Sequence, residues 1–117
     1  MKKDNLIQEK SFQFALDIIS FYIPLREEKE FVISKQLLKS GTSIGANIEE
    51  AIAAQSRKDF INKISIASKE SRETRYWLRL LDKSQLITLL FEKLLSDIED
   101  IVNIISKIII TTKNKKH

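Results

Sequence analysis

Between Lys58 and Lys83, side chains suited to holding an anion recur at helical spacing. Lys58, Asn62, Ser65, Lys69, Arg72, Tyr76, Arg79 and Lys83 stand 4, 3, 4, 3, 4, 3 and 4 residues apart. A helix of about 3.6 residues per turn puts all of them on one face. Arg75 sits beside Arg72 and Arg79, while Asp59, Glu70, Glu73 and Asp82 fall off the line. Guanidinium forks bind phosphate oxygens through paired hydrogen bonds, and Tyr76 offers a ring on which an unpaired base can stack. Lys58, Lys69, Arg72, Arg75, Tyr76, Arg79 and Lys83 are therefore the candidate nucleic-acid-binding residues. A merely solvated helix face has the same composition, so the pattern alone leaves both readings open.

Other chemistry finds little support. Glu70 and Glu73 are three apart and share a helix face. A dinuclear carboxylate site in a bundle would add a Glu-x-x-His pattern, but the single His is His117. Ion pairing with Lys63, Lys69 or a nearby Arg is the expected role of these two acids. Glu49 and Glu50 are adjacent and so face different ways. The absence of Cys removes thiolate zinc sites, disulfides and Cys nucleophiles. A Ser nucleophile would lack an ordered His base, leaving only a formal Ser–Lys pair. Gly41 to Gly45 lacks the Gly-Lys-Ser/Thr ending of a phosphate loop. The expectation is a protein without enzymatic activity, catalytic residues, metal or cofactor.

Four helical segments must position the basic face. The chain has 117 residues, 43% hydrophobic and 31% charged, with two Gly and one Pro, which suits one domain of a few long elements. The first segment is expected from about Ser11, a plausible N-cap, to Tyr22 or a little beyond. Phe12, Phe14, Ala15, Leu16, Ile18, Ile19, Phe21, Tyr22 and Ile23 leave only Gln13, Asp17 and Ser20 as a polar strip. So wide an apolar stripe exceeds what one face of a small bundle needs, so its outer side is expected to meet another subunit. Phe14 and Phe21 are the interface candidates. Pro24 and the run Arg26 to Glu30 mark a break, with a kinked continuation as the alternative.

The second segment is expected over Phe31–Ala54. Ser40 to Asn47 is poor in helix formers, and a break there is the plain reading of propensity. Apolar spacing carries through from Leu37 to Ile52, which favours a continuous helix with Gly41 and Gly45 on a close-approach surface. The third segment, Arg57–Asp82, has Ser56 as N-cap and a seam of Phe60, Ile64, Ala67, Ser71, Thr74, Leu78 and Leu81. Trp77 lies with Glu70, Glu73 and Leu80, off the basic face, and reads as a core or interface residue. The fourth, Leu89–Ile110, has a seam of Phe91, Leu94, Ile98, Ile101, Ile105 and Ile108. Its β-branched end, Ile108 to Thr112, reads as a fraying helical turn, because a lone strand has no partner. The expected organisation is a polar segment over 1–10, a bundle over 11–112 and a basic disordered tail over 113–117.

Charge follows these segments. The net charge is +4. It is −1 over residues 1–56, +4 over 57–83, −2 over 84–112 and +3 over 113–117. Positive charge concentrated in one helix and a tail favours an anionic partner. No apolar run approaches a membrane span, and Met1 to Lys10 has no secretory core, so a cytoplasmic location is expected.

Two blocks carry a family resemblance. Gln36-Leu37-Leu38-Lys39-Ser40-Gly41-Thr42-Ser43-Ile44-Gly45-Ala46-Asn47-Ile48-Glu49-Glu50-Ala51 is one. Asp59 to Leu81, including Ser71-Arg72-Glu73-Thr74-Arg75-Tyr76-Trp77-Leu78-Arg79, is the other. Both resemble the bacterial 23S rRNA intervening-sequence proteins, a family similar to the accessory variability protein of diversity-generating retroelements. The resemblance implies an all-α, up-and-down four-helix bundle that assembles as a ring-like homopentamer. It implies structural roles for Gly41, Gly45, Asn47, Glu50, Glu70, Glu73, Tyr76 and Trp77, in close helix approach, buried polar pairing and interface packing. It carries over no catalytic residue.

The function expected is that of a homo-oligomeric bundle whose basic third helix binds RNA or DNA with little sequence preference. The alternative is a scaffold for an acidic partner protein such as a reverse transcriptase, or one in which Glu92, Asp97, Glu99 and Asp100 reach a neighbouring subunit's basic helix.

Overall fold

Helix α1 spans Lys2–Glu27, α2 Val32–Ile52, α3 Arg57–Ser84 and α4 Glu92–Asn114 in a computed structural model of the chain. The structure describes residues 2–85 and 89–115. Each helix packs against its sequence neighbours and α4 returns to α1, while the diagonal pairs make no close backbone approach among the described residues. The result is a four-helix bundle of 51 × 21 × 20 Å.

The seams read from helical spacing are the ones that face inward. Ile64, Ala67, Ser71, Thr74, Leu78 and Leu81 of α3 are buried, and Phe60 packs against the core. Leu94, Ile98, Ile101, Ile105 and Ile108 of α4 are buried behind Phe91. Each large apolar side chain fully withdrawn from water contributes about 1.5–3 kcal/mol. Ser56 caps α3 by accepting the Asp59 N–H at 3.0 Å. The end of α4 is helical, as expected, and Thr112 Oγ1 donates to the Ile108 carbonyl at 2.8 Å.

Helix α2 runs unbroken through Ser40–Asn47. Its weak formers are held by packing and by their own hydroxyls. Thr42 and Ser43 donate to the carbonyls of Leu38 and Lys39 at 2.8 and 2.6 Å. A Cβ on Gly41 would lie 3.0 Å from Ile18 Cγ1, and one on Gly45 would lie 3.3 Å from the Ser11 carbonyl oxygen. Both glycines are thus where α1 presses on α2, which is why a helix-weakening residue stands at each.

Several boundaries differ from the expectation. Helix α1 starts at Lys2, so Ser11 is not a cap. It is buried in mid-helix, with Oγ donating to the Gln8 carbonyl at 3.2 Å. Ile7, in the segment read as polar, is a core residue. Helix α1 also continues one turn past Pro24. A proline so near the end removes a single helical bond. The helix closes when Lys29 turns left-handed at φ 63° and Glu30 N–H reaches the Leu25 carbonyl at 3.2 Å. The Glu30 carboxylate then accepts Ile33 N–H and Ser34 N–H at 3.2 and 2.6 Å and starts α2. Finally, α4 begins at Glu92 rather than Leu89 and extends to Asn114, so Lys113 is helical, not tail. The tail's Lys116 and His117 lie outside the described residues.

Candidate nucleic-acid interface

The basic row occupies the outer face of α3. Lys58, Asn62, Lys69, Arg72, Tyr76, Arg79 and Lys83 are exposed, and Ser65 is half-buried. The seam turns inward on the opposite side, so the same periodicity that buries Leu78 presents Arg79 and Tyr76 to solvent. Tyr76 is 55% exposed, which leaves a ring face open beside the arginines. Lys58, Lys69, Arg72, Arg79 and Lys83 form no salt bridge among the described residues. Arg72 keeps a long contact, 3.4 Å, from Nε to its own helix at the Ser68 carbonyl.

Arg75 departs from the group. It sits on the flank facing α4 and pairs with Glu99 at 3.0 Å. Its charge is engaged within the chain, so it belongs to the α3–α4 contact more than to the open row. Asp97 and Asp100 are engaged as well, with Lys93 at 2.7 Å and Lys10 at 3.8 Å. Of the four acids expected to reach a neighbour's basic helix, these three have partners at home.

The expected ion pairs of Glu70 and Glu73 do not form among the described residues. Instead the two acids line a polar cleft with Gln36, Lys39, Ser40 and Lys69. Burial raises the Glu70 carboxyl above the usual range, and the neighbouring Glu73 charge raises it further against Lys69 and Lys39. Beneath the cleft Thr74 Oγ1 donates to Ser40 Oγ at 2.9 Å, a buried polar contact joining α2 and α3. No group of three metal-ligating side chains occurs among the described residues.

The expected packing residues divide. Gly41 and Gly45 are close-approach positions, as above. Asn47 is half-buried and donates from Nδ2 to the Ser43 carbonyl at 2.9 Å. Glu50 is exposed, not part of a buried polar pair; the neighbouring Glu49 carboxylate instead accepts Gln8 Nε2 at 3.0 Å. Trp77 packs against the core, edge-on to Tyr76 with ring centroids 5.3 Å apart.

Phe14 and Phe21 do not stand on an outer surface. Phe14 is 1% exposed in the core, and Phe21 packs on the core with its ring centroid 5.0 Å from that of Phe91. The outer apolar surface of α1 is a different row: Phe12, Leu16, Ile19 and Ile23, exposed by 63, 43, 49 and 61%. Their spacing of 4, 3 and 4 makes a second seam on the back of the helix. The spacing was visible in the sequence, but with apolar residues nearly all round, periodicity does not say which seam faces in.

Comparison with known proteins agrees with this architecture. The model of the family described as 23S rRNA-intervening sequence protein matches residues 3–107. The chain is also similar to the crystal structure of a protein of unknown function from the S23 ribosomal protein family of Bacteroides thetaiotaomicron VPI-5482. The two are 51% identical with a TM-score of 0.85, over 92% of this chain and 97% of that one. No curated protein matches the chain significantly.

Proposed function

The chain belongs to the 23S rRNA-intervening sequence protein family, and from that premise we propose a non-enzymatic, homo-oligomeric bundle that binds RNA or DNA through the outer face of α3. One observation carries the reading: five cations of one helix face, Lys58, Lys69, Arg72, Arg79 and Lys83, are exposed and form no salt bridge among the described residues, around an exposed Tyr76. Backbone phosphate supplies the affinity, so sequence preference is small and binding weakens steeply with salt. Tyr76 adds stacking to any unpaired base, worth about 1–3 kcal/mol.

Self-association rests on the back of α1. Phe12, Leu16, Ile19 and Ile23 form an apolar row that water meets in the isolated chain, and burying it against another copy removes that cost. A ring, five-membered as the resemblance implies, repeats the basic face once per subunit and multiplies a weak contact by avidity.

Protein purified without nuclease should carry nucleic acid that nuclease or about 1 M salt strips away. A protein partner that stays bound through both treatments, with no nucleic acid recovered, contradicts the reading and favours a scaffold for an acidic protein such as a reverse transcriptase.

A further inference from the structure

The sequence places its two basic runs at residues 57–83 and 113–117. In the fold the end of α4 reaches the start of α3. Arg57, at the start of α3, donates from Nη2 to the carbonyls of Thr112 and Lys115, the latter at 2.7 Å. The last carbonyls of a helix lack internal partners and carry its negative dipole end, so a guanidinium satisfies both needs there. Arg57 therefore joins the end of α4 to the beginning of α3. Lys58, the next residue, opens the exposed basic row. Lys113 and Lys115 are exposed at the same end of the bundle, and neither has an acidic partner among the described residues.

We infer that Lys113 and Lys115 are part of the nucleic-acid-binding surface, and that Arg57 is the positioning residue that ties them to the α3 row. The inference rests on the proposed function and extends it to a second element. The α3 row alone runs straight for about 37 Å from Lys58 to Lys83; the α4 residues carry it around the end of the bundle. A path that is straight, turns an edge and has a stacking ring at Tyr76 fits an extended single strand, whose backbone bends freely, better than a stiff duplex. Arg57 acts here through Nη2, whose two hydrogens both go to these carbonyls.

The test is a mutant cycle read by fluorescence anisotropy with a labelled single-stranded oligothymidine. Lys113→Gln with Lys115→Gln should lower affinity about tenfold at 0.1 M salt and reduce the magnitude of the log–log salt slope by about 1.4, for two phosphates released. Arg57→Lys keeps the charge and loses the fork. It should weaken binding when the two lysines are present and change nothing when they are Gln, a coupling that an independent phosphate contact would not give. Wild-type affinity and slope in the two-lysine variant, with Arg72→Glu plus Arg79→Glu abolishing binding, overturn this inference alone. Additive losses overturn the positioning role of Arg57. A wild type that binds no oligonucleotide overturns the proposed function and this extension with it.

Discussion

Gly45 and Glu70 show how single residues on the inner flanks of the bundle are tuned. A Cβ on Gly45 would stand 3.3 Å from a backbone oxygen of α1, which moves only if the helix moves. The usual gain of about 1 kcal/mol from Gly to Ala in a helix is then opposed by about 1–3 kcal/mol of overpacking. Gly45→Ala should destabilise the bundle by about 1 kcal/mol in a urea melt; a stabilised variant would mean that α1 and α2 approach less closely than described. Glu70 works in the opposite sense. Burial first, and the Glu73 charge second, raise its carboxyl in the folded state. The folded chain therefore binds this proton more tightly than the unfolded chain does. Its contribution to stability is complete below the unfolded carboxylate range and is lost as pH rises through the folded value. Ionised Glu70 is a cost near neutral pH. Glu70→Gln should raise the melting temperature near pH 7, with the advantage gone by about pH 4.

At the scale of the element, α1 carries two apolar seams, and only one is used within the chain. Ile7, Phe14, Ile18 and Leu25 face the core; Phe12, Leu16, Ile19 and Ile23 face out. Phe12→Glu with Ile19→Glu should therefore leave helicity and melting cooperativity intact while light scattering reports a smaller species. Phe14→Glu should instead unfold the chain, since removing a buried Phe alone costs about 3–5 kcal/mol. A monomeric wild type, or an oligomer untouched by the double substitution, contradicts the role given to the outer seam.

Helices α3 and α4 were legible in the sequence because the seam of each recurs every three to four residues, with polar residues on the far side. Leu78 inward and Arg79 outward follow from spacing alone. Helix α1 was less so. Its apolar residues surround it, so Phe14 could not be told from Phe12. Its first turns are mostly polar, so Ile7 gave too weak a signal to extend the helix to Lys2. The continuity of α2 was readable from Leu37 to Ile52. The two contacts that redistribute the basic residues were not: Arg75 to Glu99 and Arg57 to the end of α4 join positions far apart in the chain, and no local spacing encodes them.

For the whole molecule, a net charge of +4 understates the electrostatics. Acids on α1 and α4 neutralise Lys10, Arg75 and Lys93, while five cations on the outside of α3 form no salt bridge among the described residues. That separation is the central claim, and the salt dependence of oligonucleotide binding tests it most directly. With about 0.7 counterions released per phosphate of a single strand, the five cations of α3 contribute about −3.5 to the log–log slope per subunit. Arg72→Glu with Arg79→Glu should reduce the magnitude of that slope by at least about 1.4 and abolish binding at physiological salt, whereas Arg75→Ala should leave the slope unchanged. Wild-type affinity and slope in the Arg72→Glu, Arg79→Glu protein, with its oligomer intact, would contradict the account.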